Sequence, residues 1–559
     1  MQRNIFAAVN LLPTDAYAWF SAMRVRGPLV WLLLPVLLLG SCSRRKSPVE
    51  SGIATKTLLV GNLTEPADLD PHLVTAYTDQ NITIALFEGL TAIDEKSALP
   101  VAAVATHWEV SADALTYTFH LRPTARWSNG DPVTAGDFVY SIQRILSPAF
   151  ASEYAYMLWP IKDAEAYNRG KNPDFGTVGV KALDERTLQI SLQRPTPYLL
   201  SLAAHPTWFP VHRATLEKFG RIDQRSTAWT RPGNLVGNGA FTLTDWSPNA
   251  RIVVTKNPTY WGAAENQLER VIFFPTDSAE TEERNFRAGQ LHVTYGLPVE
   301  KIAGYRERSP EQLRLDPFLQ TFFLRFNVTR PPFDQPKLRR ALALAIDRDA
   351  LTRHVLRESR LPAASLTPLN CAGYTSRSRV DTDFETARRL LAEAGYPEGA
   401  GLPVFEVQVR NDSAQPRVIE AIQAMWQREL GVKITLAARE QKTTIQNEQA
   451  LDYAISFSGW AGDFADPATF LELFLSEGGN NWTGWRNATY DGLIRQAAAT
   501  KDPAARLEHF QAAEALLLNE APITPVYFGA RVYALHPAVK NWQPALLGFH
   551  RYQLIRLER

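Results

Sequence analysis

Residues 115–135 contain Leu115-Thr116-Tyr117-Thr118-Phe119-His120-Leu121-Arg122 and, after four intervening residues, Trp127-Ser128-Asn129-Gly130-Asp131-Pro132-Val133-Thr134-Ala135. Leu115, Tyr117, Phe119 and Leu121 alternate with Thr116, Thr118 and His120. That period of two sets the apolar side chains on one face of a sheet. Asn129 to Pro132 reads as a turn joining strand to helix, because glycine is free to take positive φ and proline fixes the residue that follows.

Further strands are expected at Phe241 to Asp245, Arg251 to Thr255, Val271 to Phe274, Phe322 to Asn327, Val432 to Leu436 and Tyr453 to Phe457. Helices are placed by caps and spacing. Asp334 precedes Pro336 and the stripe Leu338, Leu342, Ile346, and Asp383 precedes Ala387, Leu390, Leu391 and Ala394, with Gly395 as the stop. A third helix runs from about Arg417 to Leu430, ends at Gly431 and leads directly into the Val432 strand. Strands and helices are mixed along the chain and no fixed-period repeat is visible, so the fold class is α/β or α+β, neither all-helical nor all-β.

The 559 residues suffice for several compact domains, and 45% hydrophobic residues can bury a large core. Lys plus Arg number 59 against 58 for Asp plus Glu, so no net field draws nucleic acid or anionic lipid. Fourteen Trp, eighteen Tyr and twenty-seven Phe fit either flat apolar ligand surfaces or a large aromatic core. The cysteines, Cys42 and Cys371, are too few for a disulfide framework or a Cys-rich zinc site.

The apolar run Leu29 to Leu39, preceded by Arg24 and Arg26 and interrupted by Pro35, is too short to span a bilayer. It has the order of an export signal, in residues 1–41, with translation expected to start at Met23. Leu39-Gly40-Ser41-Cys42 resembles the lipobox of bacterial lipoproteins, which implies acylation of Cys42; a buried cysteine after an apolar helix is the alternative. Residues 42–56 read as a flexible tether from lipid to folded body.

In order, the sequence shows Leu69-Asp70-Pro71, Phe87-Glu88-Gly89-Leu90, Trp108, the 117–122 strand, the 127–135 turn, Asp137-Phe138-Val139-Tyr140-Ser141, Val236-Gly237-Asn238-Gly239-Ala240-Phe241, Asn257-Pro258-Thr259-Tyr260-Trp261, Pro331-Pro332-Phe333, Leu390 to Tyr396 and Pro525-Val526-Tyr527. This series resembles the extracytoplasmic solute-binding protein family of peptide and nickel ABC importers, in its oligopeptide-binding branch. The resemblance implies a two-lobed periplasmic-binding-protein fold with the ligand between hinged lobes. One lobe would comprise 57–87, 210–319 and 530–559 with a domain inserted at 88–209, and the other 320–529.

The resemblance also assigns the site. Ser458-Gly459-Trp460-Ala461-Gly462-Asp463-Phe464 is similar to the family segment whose aspartate pairs with the peptide α-ammonium and whose tryptophan walls a side-chain pocket, roles that fall on Asp463 and Trp460. A carboxylate facing an ammonium at ~4 Å gains on the order of 4 kcal/mol at an effective dielectric of 20, before desolvation. Without the resemblance, Asp463 reads as a solvated loop acid and Trp460 as core. Asp466 reads as a local N-cap before Pro467.

Tyr154 falls where relatives place a groove tyrosine. Thr75, Gln441 and Phe457 stand where relatives carry a glutamate, a second tryptophan and a basic residue. Ala461 and Gln320 stand at positions that often form a disulfide in the family, and Cys371 is left as a lone structural or surface thiol.

The expected partners are a short peptide, a permease with cytoplasmic ATPases, and the membrane through Cys42; a monomer without cofactor or metal is expected. No His-Glu-x-x-His or phosphate-cradling motif stands out, so an enzyme is not expected. Alternatives are capture of murein peptides, nickel chelates, opines or small glycans, a peptide-binding chaperone or signalling lipoprotein, and an exported glycoside hydrolase with an unlocated acid pair.

Overall fold

The computed structural model describes residues 46–411 and 415–558, with the backbone alone at Gln441. The signal segment, Met23 and Cys42 lie outside the described residues. The stretch expected as a tether is helical over Pro48–Thr55. Val49 is buried among Leu59, Phe286 and Leu291, and its N–H donates to the Gly289 carbonyl at 3.0 Å, so this stretch belongs to the folded body.

Three larger sheets organise the chain. In the first, Thr57–Leu63 lies parallel to Arg270–Pro275, which pairs antiparallel with Arg251–Lys256 and then Phe241–Ser247. The second is antiparallel, in the order Ala105–Val110, Thr116–Leu121, Thr187–Ser191, Val180–Ala182. Here the alternation at 117, 119 and 121 is realised, with Tyr117, Phe119 and Leu121 inward. The third has six strands, in the order Leu361–Pro362, Ile523–Ala534, Leu313–Phe326, Ile455–Ala461, Phe405–Arg410, Ile434–Arg439.

Leu313–Phe326 and Ile523–Ala534 are long because each passes from one core to another. Leu313 and Leu315 pack with Val532, Ala534 and Leu59, whereas Leu324 and Phe326 share a core with Val526 and Tyr527. Their register breaks midway: Pro317 faces Ala530 but Thr321 faces Phe528, so residues 318–320 stand opposite Gly529 alone. A Cβ on Gly529 would lie 2.8 Å from Gln320 Cβ.

The recurring motifs bind distant segments together. Asp70 and Arg144 form a buried bidentate pair at 2.5 and 2.9 Å that ties the segment after Thr57–Leu63 to the helix Ala135–Leu146. Burial opposes ionisation of Asp70, but the Arg144 charge overcomes it and holds the carboxyl below its usual range. The Glu88 carboxylate accepts from Tyr260 Oη and Trp261 Nε1, both at 2.6 Å, while the Asn238 amide bonds both backbone groups of Glu88. Gly237 and Gly239 press on this knot, since a Cβ there would meet Leu86 backbone atoms at 2.1 and 2.4 Å. Gly130 takes φ +96° in the turn that closes with Trp127 N–H on the Asp131 carbonyl.

Asp383 caps the helix Phe384–Glu393, accepting from Thr386 N–H at 3.0 Å, and Gly395 and Gly431 have positive φ beyond their helices. Asp334 does not cap. Gln335 holds that place before Pro336–Leu344 without a side-chain bond, and Ile346 is buried beyond the helix end. The strand after Gly431 begins at Ile434, not Val432. Cys371 is fully buried, a structural thiol.

Candidate ligand-binding site

The strand Ile455–Ala461 runs antiparallel to Leu313–Phe326, placing Trp460 opposite Thr321 and Ala461 opposite Gln320. The two positions read as the lost disulfide pair are therefore direct cross-strand neighbours. Side chains alternate faces along a strand, so Phe457 and Trp460, three residues apart, point to opposite sides. Phe457 is fully buried against Phe322, Leu324 and Tyr527; its substitution for a basic residue fills the core and does not line the cavity.

Beyond this strand the chain turns at Gly462 and presents Asp463. Trp460, Asp463, Phe464 and Glu472 face Tyr156, Arg194 and Tyr198 across a cavity of about 480 Å³. Its walls come from two parts of the chain, residues 156–202 and 460–480. Asp463 also borders a second, more apolar cavity of about 80 Å³ that reaches Phe87, His205, Phe549 and His550.

Asp463 is half-buried. Tyr156 Oη donates to its Oδ2 at 3.4 Å, and Asp463 N–H donates to Thr469 Oγ1 at 3.3 Å. Among the described residues no cation pairs with it. Burial therefore pushes its carboxyl up to about 6, with only Tyr156 opposing. The phenols of Tyr77, Tyr154 and Tyr156 are raised in turn, first by burial and then by the Asp463 charge. Glu472, receiving Tyr198 Oη at 3.4 Å, is pushed up to about 7 by burial against the opposing charge of Arg194.

Tyr154 is half-buried beside this group, its ring 5.8 Å from Tyr156 and 5.7 Å from His205. Thr75 is exposed ahead of the helix Tyr77–Leu86 and borders neither cavity. Gln441 opens the helix Gln441–Gln449. The structure thus brings Asp463 and Trp460 to one cavity, sets Tyr154 next to Asp463, and leaves Phe457 and Thr75 elsewhere.

Asp466 reaches further than a local cap. Its carboxylate binds both Arg506 terminal nitrogens, at 2.7 and 2.8 Å, as well as Ala468 N–H, and Pro467 takes the N-cap position. Sequence reading missed Tyr156, Tyr198, Phe464 and Glu472. The stacked rings of Tyr198 and Phe464, 4.4 Å apart, join segments more than 250 residues apart, which no local pattern announces.

The profile of the bacterial extracellular solute-binding proteins, family 5 middle region, matches residues 100–482. The chain belongs to this family. The family 5 chain is 35% identical over 500 residues to the periplasmic oligopeptide-binding protein OppA of Salmonella typhimurium, covering 87% of this chain and 89% of OppA. It is 34% identical to the probable deoxycholate-binding periplasmic protein YgiS of Escherichia coli, over 86% and 89% of the two chains.

Among solved structures, the unliganded open form of the murein tripeptide-binding protein MppA superposes with a TM-score of 0.82 at 31% identity, over 90% of this chain and 97% of MppA. A second structure of Escherichia coli MppA gives 0.70 at the same identity, over 90% and 98%. The family 5 chain is a two-lobed α/β protein like these.

Proposed function

We propose that this protein is the exported substrate-binding component of an ABC importer and captures short peptides by hinge closure, with Asp463 receiving the peptide α-ammonium. The observation that carries this reading is the Asp463 carboxylate, half-buried, bordering the cavity and paired with no cation among the described residues. A binding protein that accepts many peptides must grip what they share, and the charged amino terminus is the shared cation. Trp460 walls a side-chain pocket, and Tyr154 and Tyr156 flank the acid.

The lobes are 57–87, 210–319 and 530–559 with the insertion 88–209, against 320–529. The register break opposite Gly529 supports a hinge at those junctions, since few residues there need to absorb the rotation. Cys42 is the acylation site that holds the protein at the membrane, where it delivers its ligand to the permease. ATP hydrolysis belongs to the partner subunits, and the protein is a monomeric binder without catalytic residues.

The deoxycholate-binding relative makes an amphipathic anion the second reading, favoured by the more apolar cavity beside Asp463. Asp463 opposes it, because this carboxylate borders both cavities and repels an entering anion. Native mass spectrometry of protein purified without refolding tests the choice. Peptide masses released on unfolding are expected; a sterol acid, metal chelate or sugar would overturn the peptide reading. Calorimetry with a peptide so identified should show Asp463→Asn weakening affinity at least roughly tenfold, about 1.4 kcal/mol.

A further inference from the structure

The second sheet carries on its outer face a cluster that ligand capture does not use. Tyr117, Phe119 and Leu121 point inward, and His107, Glu109 and His120 point outward from Ala105–Val110, an edge strand, and its neighbour. Ala105 pairs with Leu121, yet His107, not Thr106, pairs with His120. This bulge re-aims His107, so that the two imidazoles stack at 4.4 Å with planes 11° apart. Glu109 Oε1 stands 3.3 Å from His120 Nε2, and one potential ligand atom from each of the three residues lies within 4.8 Å of the others.

Two details point to a ligand. His120 Nε2 is shielded from solvent, and although Glu109 Oε1 lies 3.3 Å away the pair does not meet hydrogen-bond geometry, so this buried atom is left without a hydrogen bond. The Thr106 hydroxyl donates its one proton to the His120 carbonyl at 3.1 Å, so towards His107 Nδ1, at 2.9 Å, it accepts. His107 is thereby held with its proton on Nδ1 and its lone pair on Nε2. A hydrogen bond to the distal nitrogen is how a metal-ligating histidine is normally oriented.

We propose that His107, Glu109 and His120 form a binding site for a borderline divalent transition ion such as Zn²⁺. Zn–N and Zn–O bonds of ~2.0–2.2 Å set a tetrahedral edge of about 3.3–3.5 Å, which the His120–Glu109 separation already meets. Closing the remaining distance requires the exposed Glu109 side chain to rotate and the His107 ring to tilt out of the stack about its hydrogen bond to Thr106. Two imidazoles favour Zn²⁺, Cu²⁺ or Ni²⁺ over Mg²⁺ or Ca²⁺. Three protein ligands leave a fourth position for water, and the ion ties the edge strand to its neighbour. None of the three residues lines either cavity beside Asp463, so this site and the peptide reading fail separately.

The test is calorimetric titration of ZnCl₂ into the tag-free mature protein, with thermal unfolding with and without Zn²⁺. One saturable equivalent that Mg²⁺ does not displace, and a Zn²⁺-dependent rise in Tm, are expected. Thr106→Val should weaken Zn²⁺ binding about tenfold by releasing the His107 tautomer. His107→Asn and His120→Ala should weaken it further and abolish the rise in Tm. If His120→Ala fails to fold, His107→Asn on the exposed edge strand still decides. Absence of saturable uptake, or unchanged uptake in His107→Asn, overturns the proposal.

Discussion

Lowering the pH through 6 should release peptide, and Asp463 should be the group responsible. In the ligand-free protein its carboxyl sits at about 6, because burial disfavours the charge and no cation offsets it. A bound α-ammonium supplies that cation and drives the pKa down, so the bound form holds fewer protons. Affinity is therefore complete above pH 6 and falls as pH drops below it. About nine-tenths of the carboxyls are ionised at pH 7 and about one-tenth at pH 5, a roughly tenfold difference worth about 1.4 kcal/mol. The peptide α-amino group, near 8 in free peptides, stays charged throughout.

The surrounding phenols are raised further and remain neutral, and His205 beside Tyr154 is held down to about 3 by burial. Glu472, at about 7, is the competing titrant. Calorimetry at pH 5 and pH 7 in buffers of different ionisation enthalpy should show about one proton released per peptide at pH 5. A pH dependence that survives Glu472→Gln and vanishes in Asp463→Asn belongs to Asp463. Equal affinity at both pH values in the Glu472→Gln protein, or an unchanged profile in Asp463→Asn, would refute the counter-ion role.

Removing Arg144 from its buried pair should destabilise the fold by ~3–5 kcal/mol, because Asp70 is left uncompensated; denaturant unfolding of Arg144→Met and of the double variant with Asp70→Asn should show the double losing less than the sum. Gly529→Val places bulk against Gln320 at the strand crossing, so peptide affinity should fall while every cavity residue is untouched; small-angle scattering that still shows full ligand-induced compaction would count against a hinge there. Trp460→Ala should weaken peptide binding by at least ~1 kcal/mol if the indole walls a side-chain pocket, and calorimetry with a peptide series should show the loss concentrated at one side-chain position.

The fold was legible wherever a local pattern carries its own physics. Alternation at 117–121 needs only the pleat, and Asp383 needs only three free amides downstream. Asp334 failed because Gln335 intervenes before Pro336, and capping depends on a one-residue register that spacing does not resolve. The site divided in the same way. Asp463 and Trp460 share a short segment, and the family resemblance of that segment, not a local pattern, singled them out together. Tyr156 and Tyr198 meet them only through packing between segments more than 250 residues apart, which no window of sequence contains, and Glu472 only through the turn and short helix that follow Asp463. Phe457 shows the opposite failure: the family resemblance put it among the site positions, but three steps along a strand reverse the face, so it fills the core while Trp460 borders the cavity.

Asp463 also has an energetic consequence for the empty protein. A carboxyl whose folded pKa is raised binds more protons folded than unfolded between about 4 and 6, so stability from this group rises as pH falls and is lowest at neutral pH. Asp463→Asn should therefore raise the Tm of ligand-free protein at pH 7, while the same substitution weakens peptide binding. Solvent in the open cavity screens the charge, so the gain is smaller than for a sealed interior. Saturating peptide at ~100 times Kd stabilises the wild type by about 2.7 kcal/mol, and the variant at the same peptide concentration should gain far less. A structural acid gives the reverse pattern, losing Tm on substitution and keeping the ligand shift. The two melting curves, with and without peptide, thus separate a residue kept for the fold from one kept, against the fold, for the guest.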